Sequence, residues 1–411
     1  MSVIRFSADR SRLYAPTESG EFFGDLYLKR QRRGELADIA PDAPLITPRS
    51  SSARHRDFLA HYVAHSIDTQ MGKLKAHQPI IVMIHGFLFD PYHTVNIHPW
   101  HAHNPHRRLF HFEDFARQHR LEHKAVPWPK DMHLRPDDEG ENGVALAFGW
   151  FSKPGLASSL KKSFVNHYVQ AYDYATQTAE LLIRTLAEFD RQLTEKGVKN
   201  PFDILTHSLG SRVTMRAIHE LSDIARIAED VKERNAARAL LKRLGRIVIL
   251  GGAEYVVDAQ RAYRALRTCE EPLGSESFED EFSPRFLGRD EGPQFYNVCT
   301  RENDVLDLLG ENFGPRTFGN TNVIGHDGLG GEGRLNSRWR DIFLDHRKTK
   351  EWLRTKRDIT VLSENDAFWA VWDHWFYYTA PENNALYRGI YRDRDRFSLK
   401  TLTAEKMPHR P

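Results

Sequence analysis

Cysteine is scarce in this chain of 411 residues, which contains only Cys269 and Cys299. Two cysteines are too few for the disulfide framework of a small secreted domain. An excess of charge of either sign is missing too, because 58 basic and 56 acidic residues leave a formal net charge of +2. This balance gives no reason to expect a nucleic acid or an anionic membrane as a partner.

Long hydrophobic runs are also missing, and no window approaches the about 18 uninterrupted apolar residues of a membrane-spanning helix. Residues 1–9 contain no apolar segment of the kind found in secretory signals. We therefore expect no membrane span and a cytoplasmic location. What is present is a globular composition, with 40% hydrophobic residues and 26 glycines, which allows a sizeable core.

Short apolar runs alternate with helix-spaced segments along most of the chain. This alternation is typical of an α/β fold, in which helices cover both faces of a mostly parallel sheet. The predicted strands are residues 80–84, 144–150, 202–206, 246–250, 294–299 and 321–324, with edge strands near 3–6 and 22–28. The predicted helices are residues 52–75, 159–196 and 212–244.

Two connections, residues 87–143 and 254–292, are longer than ordinary loops of an α/β sheet. We interpret both as insertions into an α/β core that covers residues 76–380, where they form either lids over a site or peripheral additions. Residues 1–75 are then an N-terminal extension with possible edge strands and a helix, and residues 381–411 are a C-terminal tail.

The segment Thr206-His-Ser-Leu-Gly210 joins a predicted strand directly to a helical pattern. Such a strand–turn–helix order is typical of a nucleophile elbow, in which a sharp turn lifts a serine hydroxyl above the edge of the sheet. Ser208 is therefore the predicted nucleophile, and the alternative is that it only caps the following helix. The backbone N–H of Leu209 is the first predicted donor of an oxyanion hole.

A second motif lies upstream, where the predicted strand at residues 80–84 ends in His85-Gly86. The loop after such a strand supplies the second oxyanion donor, which we assign to the backbone N–H of Phe87. His85 itself is predicted to be a structural residue that orients this loop.

The chain resembles the α/β-hydrolase superfamily in three motifs, Ile84-His-Gly-Phe87, Phe148-Gly-Trp-Phe-Ser-Lys-Pro154 and Thr206-His-Ser-Leu-Gly210. Within that superfamily it is most similar to a lipase-like bacterial branch of serine hydrolases. The resemblance implies a sheet of about eight mostly parallel strands and the chain order serine, acid, histidine. The sequence departs from the usual elbow at Thr206, where a smaller glycine is common.

That order directs the search for the acid and the base to residues after Ser208. Asp304 follows the predicted strand at 294–299 and is the predicted acid, unless it only caps the next helix; Asp307 is the second choice. Both His374 and His326 follow late strands and remain candidates for the base. We favour His374 because the aromatic residues after it match the lipase-like branch.

Histidine is concentrated in the first insertion, which raises the question of a zinc site. Six histidines fall within this stretch: His93, His98, His101, His103, His106 and His111. Pro105 stands where a binuclear metallohydrolase has an aspartate ligand, so we interpret these residues as loop histidines and expect no metal.

These motifs together predict a serine hydrolase that cleaves a carboxylic ester through an acyl-enzyme intermediate. The expected substrate is a small-molecule or lipid-like ester, and no cofactor is needed; thioesters and amides suit the same machinery. Two alternatives remain. One is a non-catalytic binding protein with the α/β-hydrolase fold, and the other is a metallohydrolase that uses residues 93–111.

Overall fold

The computed structural model describes residues 3–9, 12–14, 53–71, 74–91, 105–110, 127–134, 143–153, 161–270, 286–288, 291–303, 306, 322–330, 338–363, 365–366 and 374–408. Contacts divide the chain into two compact units, Met1–Lys199 and Asn200–Pro411. Each unit combines helices with strands, and seven of the eight described strands pair in parallel. The predicted α/β class with mostly parallel strands is therefore confirmed.

The first unit contains four strands in the order β2-β1-β4-β3. Their bounds are β1 Val3–Asp9, β2 Arg12–Tyr14, β3 Ile80–Ile84 and β4 Val144–Trp150. Strand β4 runs parallel to both β1 and β3, whereas β2 returns antiparallel to β1. Every residue of β3 and β4 is buried, which explains why both strands are continuous apolar runs rather than alternating ones.

Helices pack against this sheet through aromatic contacts. The helices of the first unit are α1 Ala53–Ser66, which continues into the π-helical turn Ile67–Met71, then α2 Pro105–Arg108, α3 Trp128–Asp131 and α4 Lys161–Glu195. The ring of Phe6 on β1 meets Tyr62 of α1 and Phe189 of α4 edge to face, at 5.3 and 5.9 Å between ring centroids. The Tyr62 hydroxyl also donates to the carbonyl of Arg5, so its polar end is satisfied.

The second unit contains four parallel strands in the order β5-β6-β7-β8. Their bounds are β5 Phe202–His207, β6 Leu244–Leu250, β7 Gln294–Cys299 and β8 Trp339–Phe343. The helices are α5 Gly210–Ile227, α6 Val231–Arg243, α7 Val256–Arg267, α8 Ile324–Asp327, α9 Arg347–Arg357, α10 Phe376–Thr379, α11 Pro381–Arg392 and α12 Leu399–Ala404. None of the described helices combines the length and apolar character needed to cross a bilayer.

Most predicted strands are confirmed, but the one at residues 321–324 is wrong. Val323 forms only an isolated antiparallel bridge with Tyr255, and Ile324 begins α8. The predicted edge strand at 22–28 lies outside the described residues, whereas the one near 3–6 is the start of β1.

Strand β8 was missed because Arg340 and Asp341 give it a polar sequence. The Asp341 carboxylate is nonetheless buried, and it accepts hydrogen bonds from Asn297 Nδ2 and Trp339 Nε1, both at 2.8 Å. The guanidinium of Arg340 donates to Thr403 Oγ1 at 2.7 Å. Satisfied in this way, charged residues are tolerated in a buried strand.

The predicted helix at 212–244 is two helices, because the chain leaves helical geometry at Ala228. Asp230 then caps α6 through a 2.8 Å hydrogen bond from the N–H of Lys232 to its carboxylate. The predicted insertion at 254–292 begins with α7, which packs against α5. That part of the insertion is therefore a layer helix of the second unit.

The predicted C-terminal tail carries helices that are anchored in the second unit. The Tyr391 hydroxyl donates to the carbonyl of Ile204 on β5 at 2.7 Å, and Tyr296 on β7 donates to the carbonyl of Phe397 at 2.6 Å. The buried guanidinium of Arg246 on β6 donates to backbone carbonyls of the same C-terminal segment. Residues 381–408 thus cover the strands of this unit.

Candidate active site

Ser208 occupies a sharp turn between β5, which ends at His207, and α5, which begins at Gly210. Its φ is +52°, in the left-handed region that serine adopts only at a cost of about 1–3 kcal/mol. Two hydrogen bonds hold it there: its N–H donates to the carbonyl of Leu250 at 2.9 Å, and its carbonyl accepts from Ala253 at 3.0 Å. A strained backbone fixed from both sides is the geometry expected of a nucleophile elbow.

The alternative role of Ser208 as a helix cap is not supported by the hydrogen bonds at the start of α5. The N-cap of α5 is Leu209, and no side chain caps the helix. A capping hydroxyl at residue 208 would accept from the N–H of Gly210 or Ser211, but the Ser211 N–H donates to the Ser208 carbonyl at 3.0 Å. The Leu209 N–H lies at the helix N-terminus, where the first amides have no acceptor within the helix. That amide suits the oxyanion role predicted for it.

His374 lies against the residue that precedes Ser208. The rings of His374 and His207 are 4.7 Å apart between centroids, and Nε2–H of His207 donates to the His374 carbonyl at 3.1 Å. The ring of Tyr378 packs edge to face on the other side of His207, at 4.8 Å. The Nε2 atom of His374 is buried and has no hydrogen-bond partner among the described residues. A buried polar atom without a partner calls for an explanation.

The other ring nitrogen of His374 contacts an asparagine. Nδ2 of Asn303 lies 3.2 Å from Nδ1 of His374, and Oδ1 of Asn303 accepts the N–H of Leu306 at 3.0 Å. Asn303 is fully buried and follows β7 by a few residues, which is where the acid was expected. Asp304, the predicted acid, lies outside the described residues, as does Asp307.

Asn303 was missed because the search was restricted to carboxylates. The signal was present, since Asn303 directly precedes Asp304 after the same strand. An asparagine also orients the catalytic histidine in papain-like triads.

His326, the alternative base, has a polar contact at each of its two ring nitrogens. Its Nε2–H donates to the carbonyl of Arg301 at 3.1 Å, and its Nδ1 lies 3.2 Å from the carboxylate of Asp327. Of the two candidate bases, it is therefore His374 that packs on His207 and keeps an unpartnered ring nitrogen.

Phe87 lies in the first unit, in the turn after β3, and the next residue, Leu88, has a φ of +72°. The Phe87 ring packs edge to face on Tyr168 at 5.8 Å. Its predicted role as the second oxyanion donor remains a prediction, because Ser208 belongs to the second unit.

His85 holds the turn after β3 in place, which confirms its predicted structural role. Its Nδ1–H donates to the carbonyl of Gly86 and its Nε2 accepts from the Trp150 N–H, both at 2.9 Å. The Trp150 indole donates back to the His85 carbonyl at 2.7 Å, and the two rings stack. Ser152 Oγ joins the same loop by accepting the Phe89 N–H at 2.9 Å.

Of the six clustered histidines, only His106 lies within the described residues. Its Nε2 lies 2.9 Å from the hydroxyl of Ser7, and burial lowers its pKa well below the usual value. A side chain at Gly149 would come within 2.7 Å of this ring, so the histidine is packed into the sheet. Within the described ranges, no three His, Cys, Asp or Glu residues are grouped closely enough to hold a metal ion.

Burial sets the protonation of the groups near the elbow. It lowers the pKa of His207 to about 4, and it lowers the pKa of His374 well below 6.5, with a further decrease from the neighbouring His207. Both imidazoles are therefore neutral near pH 7, as a general base must be.

Burial raises the pKa of Cys269 to about 11 and that of Cys299 well above 9.0, so neither thiol is ionised enough to compete as a nucleophile.

Replacing Gly251 with alanine is expected to destabilise the second unit by about 2–5 kcal/mol. Gly251 follows β6 with a φ of +50°, and an added Cβ would overlap the Tyr377 ring, which packs near His374. Denaturant unfolding measures the loss. The matched control is Gly330→Ala, with a φ of +79° but no backbone or ring atom in the way, for which about 1–2 kcal/mol is expected. Equal losses in the two variants would contradict the role of Tyr377.

Comparisons with known proteins add no relative to this picture. No protein-family model matches the chain, and no curated protein or solved structure is found to be similar to it.

Proposed function

We propose that this protein is a serine hydrolase that cleaves a carboxylic ester through an acyl-enzyme intermediate, with Ser208 as the nucleophile. The observation that carries the proposal is the left-handed backbone of Ser208 at a strand-to-helix turn, directly after His207, whose ring packs on the buried imidazole of His374. Strain of this kind persists where the surrounding structure imposes it, which is typical of functional sites.

In the proposed reaction, Oγ of Ser208 attacks the ester carbonyl while Nε2 of His374 takes the hydroxyl proton. The Leu209 N–H stabilises the negative oxygen of the tetrahedral intermediate. Collapse of that intermediate breaks the bond to the alcohol, which leaves with the proton held by His374. Water then attacks the acyl-serine with the same base, releasing the acid and restoring the Ser208 hydroxyl.

We extend the proposal to an α/β-hydrolase fold and to a lipase-like class of substrate. They are supported by the parallel strands, by the elbow after β5 and by the rigid His85-Gly86 turn after β3. A small-molecule or lipid-like ester remains the expected substrate.

A fluorophosphonate probe tests the proposal because it reacts with activated serines regardless of the natural substrate. We expect one probe adduct per chain by intact mass, located on the peptide that contains Ser208. Hydrolysis of p-nitrophenyl esters of increasing acyl length, measured with the same preparation, then bounds the acyl pocket. A folded protein with neither labelling nor hydrolysis would instead support the non-catalytic alternative.

We expect kcat/KM to fall on the acidic side of its pH profile with a midpoint below pH 6.5. Catalysis requires the neutral form of His374, and burial lowers the pKa of this group, so the base survives to a lower pH than a free histidine would. Initial rates from pH 4 to pH 9, with circular dichroism at each pH to exclude unfolding, check this. A limb at or above 6.5 would show that another group is titrating.

A further inference from the structure

The orientation of the Asn303 amide follows from its hydrogen bonds. The Leu306 N–H is a donor, so the atom that faces it at 3.0 Å is the amide oxygen. The amide nitrogen therefore faces His374, 3.2 Å from Nδ1. Since an amide nitrogen has only protons to offer, Nδ1 of His374 must be the acceptor, and it is not protonated in this arrangement.

A neutral imidazole that accepts at Nδ1 carries its proton on Nε2. That is the wrong nitrogen for the proposed reaction, because Nε2 has to receive the Ser208 proton. We infer that Asn303 is a positioning residue that sets the tautomer of His374. Catalysis then requires the Asn303 side-chain amide to flip, so that Oδ1 and Nδ2 exchange places. The predicted effect on the rate of ester hydrolysis rests on the proposed function. The predicted tautomer of His374 does not.

Turning the Asn303 amide over is unfavourable for a definite reason. Oδ1 would then accept from Nδ1–H of His374, but Nδ2 would face the Leu306 N–H, donor against donor. Because Asn303 is fully buried, solvent cannot replace the acceptor that the Leu306 N–H would lose. The base-competent tautomer is therefore a minor state of the natural chain.

The other polar neighbours of His374 do not select a tautomer at Nδ1. His207 contacts the ring face and donates only to the backbone carbonyl of His374. Tyr377 packs edge to face at 5.9 Å, and burial lowers the pKa of His207 to about 4, so that His207 is neutral near pH 7. Among the described residues, Asn303 is the one hydrogen-bonded to Nδ1.

Asn303→Asp is the decisive variant, because a carboxylate has an oxygen for each donor. One oxygen keeps the Leu306 N–H, and the other accepts Nδ1–H of His374, which leaves the Nε2 lone pair free. We expect kcat/KM for ester hydrolysis to rise about 10²- to 10⁴-fold, where the upper figure is the loss caused by exchanging the aspartate of a serine triad for asparagine. The acidic limb should also move to higher pH, since an anion beside His374 raises its pKa.

The control is Asn322→Asp, which makes the same exchange at an exposed residue of the second unit and is expected to leave kcat/KM within about threefold of the natural value. A purely structural Asn303, which only caps Leu306, predicts no change in rate or pH profile for Asn303→Asp, because aspartate keeps the cap. If Asp304→Asn is inactive and Asn303→Asp is unchanged, the inference is wrong and Asp304 is the orienting acid.

Nitrogen-15 NMR of histidine-labelled protein tests the tautomer without any reaction, with His374→Gln used to identify the signal. We expect the proton on Nε2 in the natural chain and on Nδ1 in Asn303→Asp. A proton on Nδ1 in the natural chain would overturn the inference even if Ser208 proves to be the nucleophile. Conversely, the expected tautomers without probe labelling would leave the inference standing and remove the hydrolase proposal.

Discussion

Ser208→Ala is expected to lower kcat/KM for ester hydrolysis at least 10³-fold, and up to about 10⁶-fold if the natural chain is an efficient enzyme. Alanine removes the proposed nucleophilic oxygen, while the Leu209 N–H remains. The residual rate is therefore expected to reflect binding and oxyanion stabilisation alone.

Stability should barely change in this variant, because the hydrogen bonds that hold the elbow use the backbone of Ser208, not its hydroxyl. The matched control is Ser222→Ala on the same helix, where the buried hydroxyl donates only to the carbonyl of Ile218 at 2.7 Å. It should hydrolyse esters at the natural rate. If Ser208→Ala kept a tenth of the activity or more, another nucleophile would have to be sought.

His374→Ala is the second large effect, with an expected loss of at least about 10³-fold in kcat/KM and of probe labelling to a similar extent. Without a base, the Ser208 hydroxyl stays protonated and is a poor nucleophile. The fold should survive, because His207 donates to the backbone carbonyl of residue 374, which alanine retains. Added imidazole should restore part of the rate by entering the space that the ring leaves.

His326→Ala serves as the comparison, since it removes a histidine of α8 that is hydrogen-bonded to the carbonyl of Arg301, which follows β7. It is expected to keep most of the activity and to gain nothing from imidazole. If this variant were inactive while His374→Ala was active, the base would be His326, and the contact between His374 and His207 would be structural.

The elbow could be predicted from the sequence because its signal is local. A buried strand, a short polar turn and a helix follow one another within a few residues, and the left-handed φ of Ser208 is a property of that single turn. The same holds for the strands, whose apolar runs are continuous where both faces are buried. Which nitrogen of His374 carries a proton has no such local signal, because Asn303 is 71 residues away along the chain.

Buried polar residues were the main reason why predictions from the sequence failed. Strand β8 looked like a surface segment because Asp341 is charged, and its partners on β7 become visible only once the sheet exists. Asn303 belongs to the same class, since the role of a buried asparagine depends on hydrogen-bond partners that the sequence does not show. Predictions from sequence therefore failed where side-chain partners come from distant segments.

The anchoring of the C-terminal helices has a consequence for synthesis on the ribosome. The Tyr391 hydroxyl reaches back 187 positions to β5, and the Arg246 guanidinium on β6 reaches forward 144 positions to residue 390. While the nascent chain is still shorter than this, a buried arginine and a strand carbonyl lack their partners. The second unit should therefore finish folding only after residues 390–394 have left the ribosome, because their carbonyls are the acceptors of the buried Arg246.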